Sequence, residues 1–90
     1  MIEVRQFDNG RIELVSDDAK GENGAVSDVL SGTQMGDRWD GAPFEDGELV
    51  IALSRDEAEQ VEGLFAGSDE HGYLFGDVLA QLDDVAHADG

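Results

Sequence analysis

Apolar and polar residues alternate through IEVRQF-DNG-RIELV, residues 2–15. Period-two alternation on either side of an Asn-Gly pair predicts a β-hairpin. Side-chain chemistry fixes the register. A two-residue loop would set Arg5 opposite Leu14 and Val4 opposite Val15, which mixes the faces. A three-residue loop, 8–10, sets Val4 opposite Leu14 and Arg5 opposite Glu13, apolar with apolar and cation with anion. It also puts Gly10 at the left-handed position that closes a type I turn with a bulge.

The polar run SDDAKGENG, 16–24, reads as a loop. In AVSDVL, 25–30, the apolar residues Ala25, Val26, Val29 and Leu30 share one helical face, so a short helix ended by Gly32 is expected. The stretch SGTQMGDRWDGAPFEDG, 31–47, is glycine-rich, contains the single proline and shows no clear period. It reads as a long irregular loop, a kind of segment that often carries function in a small domain. ELVIAL, 48–53, reads as a strand with Leu49, Ile51 and Leu53 on one side and Val50 and Ala52 on the other. Both sides are apolar, which predicts cover on both faces.

Ser54 with Glu57 three residues on forms a capping box, and Asp56 and Glu57 suit the positive end of a helix dipole. Ala58, Val61, Leu64 and Phe65 form that helix's apolar stripe, Gly67 ends it, and Ser68 is placed to cap the next helix. A last helix is expected from about Asp69 or Tyr73 to about His87, with Leu74, Phe75, Val78, Leu79, Leu82, Val85 and Ala86 as its apolar face. The architecture implied is a single α+β domain over residues 1–90, a two-layer sandwich. An N-terminal β-hairpin plus a third strand forms a small sheet, covered by a C-terminal helical hairpin. Which hairpin strand the third one joins is not legible.

Charge changes the picture most. The chain has 22 Asp and Glu against 5 Lys and Arg, a formal net charge of −17. Such a surface repels nucleic acid and anionic membranes, because binding phosphates takes basic side chains. It attracts basic protein surfaces and speeds encounter with them. With 40% hydrophobic residues in regular patterns, the chain is a folded domain and not an acidic tail. The low lysine content resembles that of proteins from extreme halophiles, in which surface acids keep the molecule hydrated in concentrated salt. No cysteine is present, which excludes disulfides and thiolate metal sites. The N-terminal MIEVRQF lacks a signal-peptide pattern, and the longest apolar run, 49–53, is far short of a membrane span, so a cytoplasmic protein is expected.

Enzyme motifs are missing: there is no G-x-S-x-G, P-loop or G-x-G-x-x-G, and no enzyme is expected. DDAKGENG and DRWDGAPFEDGE both fail the EF-hand spacing. His71 and His87 stand 16 residues apart without flanking ligands, so neither a metal nor a cofactor is expected. In SRDEAEQVEG, 54–63, Asp56, Glu59 and Glu62 recur every three residues on a capped helix. Extended by Asp69, Glu70 and Asp77, they are the candidate contact surface for a basic protein groove. The bold form of this reading is an inhibitor that mimics nucleic acid. Arg38 and Trp39, of residue types enriched at interface hot spots, are further candidate contacts. The competing reading of Trp39 packs it with Phe44 beneath its own loop. The alternative function is a halophile-adapted domain whose activity lies in the Trp39 loop, with a small enzyme third.

Overall fold

The computed structural model describes residues 1–69 and 72–87. β1 (Ile2–Gln6) and β2 (Ile12–Ser16) form the expected hairpin, with Val4 opposite Leu14 and Arg5 opposite Glu13. The turn is the three-residue one: the Gly10 N–H donates to the Phe7 carbonyl at 2.9 Å, and Gly10 has φ +87°. Opposite register does not make Arg5 and Glu13 an ion pair. The Arg5 guanidinium instead bridges Glu3 and Glu48, and Glu13 pairs with Arg11 at 3.0 Å.

The central strand β4 (Glu48–Leu53) pairs antiparallel with β2, placing Leu14 opposite Ile51 and Ile12 opposite Leu53. A two-residue strand, β3 (Phe44–Glu45), completes a four-stranded sheet of order β1-β2-β4-β3. One face of this sheet presents Ile2, Ile12, Leu14, Leu49, Ile51 and Leu53 to the core. The other carries Glu3, Arg5, Glu13, Glu48, Val50 and Ala52. The expectation that β4 is covered on both faces fails here, since Val50 is half-buried and Ala52 exposed. Val15 on this outer face is nonetheless buried, at the position where Arg5 reaches across from Glu3 to Glu48. Apolar stems of long charged side chains cover such sites while their heads stay in water.

The covering layer is the expected helical hairpin, α3 (Arg55–Ala66) and α4 (Gly72–Ala86). Both halves of the Ser54–Glu57 capping box are formed. Ala58, Val61 and Phe65 meet Phe75, Val78 and Leu82 in one core, with the Phe65 and Phe75 rings parallel and 4.1 Å apart between centroids. α4 also guards the open edge of the sheet: Gln81 Oε1 accepts the Val4 N–H of edge strand β1 at 2.7 Å. Occupied edge groups do not recruit another strand.

Two segments depart from the sequence reading. The polar run 16–24 is not all loop, because α1 (Glu22–Leu30) starts three residues before the expected helix. Gly21 turns the chain at φ +72°, and the Glu22 carboxylate, 2% exposed, takes the Met1 ammonium at 3.0 Å and the Lys20 N–H at 2.9 Å. A buried acid satisfied partly by a donor 21 residues away looks like loop chemistry in a sequence. The expected irregular stretch 31–47 is mostly regular. α2 (Gln34–Gly41) is capped by Thr33, whose hydroxyl accepts the Gly36 N–H at 3.1 Å, and Met35 and Trp39 at i and i+4 bury its inner face. Asp46 and Gly47, with φ of +53° and +78°, then turn β3 into β4. Asp-Gly is the favoured pair where both turn residues need positive φ.

Candidate interaction surface

Helix α3 carries the acidic row, and its own geometry breaks that row up. Each step of three residues falls about 60° short of a full turn, so two steps swing the side chain about 120° round the axis. Asp56 and Glu59 point to solvent. Glu62 has rotated to the seam with α4, where its carboxylate lies 3.2 Å from His87 Nε2 and only a fifth of the side chain is exposed. The three expected contacts are therefore not on one face. Asp69 is exposed before α4. Asp77, on α4, is exposed beside the N-terminal end of the sheet, in the wall of a cleft of about 260 Å³ shared with Met1, Asp17, Lys20 and Tyr73. It belongs to a different part of the surface from Asp56 and Glu59. Glu70 and His71 lie outside the described residues.

The two expected contacts on the other segment divide. Trp39 is 1% exposed and sits in the main core, with its indole N–H donating to the Asn23 carbonyl at 3.1 Å. A side chain so placed offers nothing to a partner, which corrects its assignment as a contact. Nor does it pack in a satellite cluster under a loop, since Phe44 is 52% exposed at the sheet edge. Arg38 is exposed, but its guanidinium is held by Glu57 at 2.8 Å.

Arg38 is typical of the cations. Arg5 holds Glu3 and Glu48, Arg11 holds Glu13, and Arg38 holds Glu57. The Arg5 guanidinium is held above its ordinary pKa by hydrogen bonds to Glu48 and Glu3. Glu57 is held below the usual carboxylate range, first by the Ser54 backbone N–H and then, against the cost of burial, by Arg38. At the N-terminus the Asp17 carboxyl is lowered by its hydrogen bond from the Met1 ammonium. Burial lowers that ammonium's pKa, but the bonds to Asp17 and Glu22 outweigh it and raise the group above its usual value. Positive charge is thus largely spent inside the molecule. Asp56, Glu59, Asp69 and Asp77 remain exposed, and so do Asp83 and Asp84 on α4.

The α3–α4 seam holds a constellation that the sequence pattern only half displays. Asp83 in the last turn of α4 and His87 just past its end are four apart, and the His87 N–H still donates to the Asp83 carbonyl at 3.0 Å, a spacing that brings side chains together. Asp83 Oδ1 lies 3.5 Å from His87 Nε2, and Glu62 arrives from α3 on the same nitrogen. Ligand-type atoms of all three lie within 4.8 Å of one another. Comparison with protein-family models, curated proteins and solved structures finds no match to this chain.

Proposed function

We propose that this protein is a cytoplasmic acidic interaction module that docks on a basic protein surface. The observation that carries the reading is the internal use of its cations. With Arg5, Arg11 and Arg38, three of the five basic residues, each held by the chain's own carboxylates, the residual surface is dominated by anions. A net charge of −17 also far exceeds the magnitude of ~2–8 that keeps a small domain soluble. The docking patch centres on Asp56 and Glu59 at the exposed start of α3. Competition by nucleic acid for the same partner is the signature of its bold form, the nucleic-acid-mimicking inhibitor.

The test compares capture of basic proteins from a lysate of the producing cells by wild type, by Asp56→Lys/Glu59→Lys, and by the control Asp8→Lys/Glu45→Lys. The docking reading expects capture that falls steeply with salt, is displaced by duplex DNA, and is lost on the α3 reversal while the control retains it. Equal capture by both variants removes the patch.

One observation favours a second reading, in which acidity is adaptation to salt. Exposed acids occur on nearly every element: Asp8 in the hairpin turn, Asp28 on α1, Asp37 and Asp40 on α2, Glu45 on β3. A dedicated docking face does not need that spread. Under this reading both variants behave alike and stability depends on salt.

A further inference from the structure

We propose that Glu62, Asp83 and His87 form a binding site for one divalent first-row transition ion of the zinc class, which clips helix α3 to the last turn of α4. Glu62 and Asp83 stand on two helices that the core fixes side by side, and His87 directly follows α4, tied to it by its N–H donating to the Asp83 carbonyl at 3.0 Å. Two carboxylate oxygens converge on one imidazole nitrogen, at 3.2 Å from Glu62 and 3.5 Å from Asp83. A ring nitrogen bears at most one hydrogen, which serves one of the two acceptors well and leaves the other facing it without a matching donor. A cation between the three groups satisfies all of them at once.

The spacing fits such an ion. Metal bonds of about 2.0–2.1 Å hold neighbouring ligand atoms roughly 2.9–3.4 Å apart in octahedral or tetrahedral arrangement. The two contacts to His87 already lie at or just beyond that range, and ligand atoms of all three residues lie within 4.8 Å of one another, so closure has to draw the two carboxylates together around the ion. The donor set selects the ion. An imidazole nitrogen with two carboxylates suits zinc and its neighbours, whereas calcium and magnesium prefer all-oxygen sites. Three protein ligands leave one or more positions to water. The surrounding negative field, with Asp84 exposed on the adjoining turn, raises the local cation concentration.

The experiment uses the full chain, freed of metal by chelator, with zinc chloride as the probe in 0.5 M sodium chloride to suppress loose condensation on the acidic surface. Calorimetric titration is expected to show one ion per chain, and zinc should raise the melting temperature. His87→Ala and Asp83→Asn should each lose about tenfold or more in affinity, at least the loss seen on removing a supporting neighbour of a metal ligand. Glu45→Gln, on β3 at the sheet edge opposite β1, should bind as wild type does. In ¹⁵N spectra of the histidine ring, zinc should move the Nε2 resonance of His87. Binding of several ions, or undiminished binding by His87→Ala, overturns the proposal and shows cation condensation only. Zinc binding that leaves the His87 resonance in place overturns it as well.

Discussion

Gly36 shows how tightly a single position is set. A Cβ built there would lie 2.2 Å from the Leu30 carbonyl oxygen, a contact with backbone at the end of α1 that no rotamer relieves. The close approach lets α2 turn back on α1 within the short link Ser31–Thr33, where Gly32 takes φ +84° and the Thr33 N–H bonds the same Leu30 carbonyl at 3.1 Å. The two glycines of GTQMG therefore have separate jobs, one conformational and one steric. Gly36→Ala must push the α1–α2 corner apart, and overpacking of this kind costs about 1–3 kcal/mol. Gly10→Ala serves as the comparison: nothing lies within 4 Å of its Cβ, so it carries only the left-handed strain of about 1 kcal/mol. Urea denaturation of the two variants should rank Gly36→Ala as the more damaging. A milder effect at Gly36 would mean the corner is loosely packed.

At the scale of elements, the link between α2 and α3 is the clearest electrostatic joint. The Glu57 carboxylate accepts the Ser54 N–H at 2.9 Å, closing the capping box, and takes Arg38 of α2 at 2.8 Å. Glu57→Gln keeps a capping-box acceptor but removes the charge that Arg38 holds. Because the folded state lowers the Glu57 pKa, its contribution is full above the ordinary carboxylate pKa of about 4.3 and fades as pH falls through the lower folded value. Wild type should be the more stable at pH 7, and the gap to Glu57→Gln should narrow and then close as acid takes the pH through the lowered folded value. A gap that persists there would make it a packing effect. Which elements are readable from sequence obeys the same logic of local against distant partners. The hairpin register, the capping box and the apolar face of α4 are legible because each is specified by residues a few positions apart. β3 and α2 are hidden among glycines, although Thr33 and the Asp46-Gly47 pair are ordinary signals once sought. The early start of α1 is unreadable, since Glu22 is buried only because the Met1 ammonium comes back to it across the sheet end. The acidic row misleads because steps of three look like a straight line in a sequence, and Trp39 because a buried side chain and an exposed one look alike there. The seam cluster is half legible, Asp83 and His87 by spacing and Glu62 only through the packing of two helices.

For the whole molecule the question is what an excess of 22 acids over 5 bases does to stability. The exposed carboxylates lie on every layer, so each is repelled by several others at moderate range, while the attractive pairs are few and short. Salt acts on both, but unequally. Raising it from 0.15 M to 1 M shortens the screening length from about 8 Å to about 3 Å, which removes repulsion across the surface while leaving contacts below 3 Å such as Arg38–Glu57 less affected. The balance should favour the folded state, because unfolding spreads the charges and relieves the same repulsion. If the gain reaches about 1 kcal/mol, Tm rises by about 4–8 °C for a domain of this size. Sodium chloride is the salt to use, since sulfate stabilises by exclusion whatever the charge. The same titration on the Asp8→Lys/Glu45→Lys variant should give a shallower slope, because four units of net charge are removed without touching the core. A flat response in wild type would show that the acids are spread widely enough to coexist. Adaptation to salt would then fail as their explanation, leaving the patch on α3 as the feature that requires one.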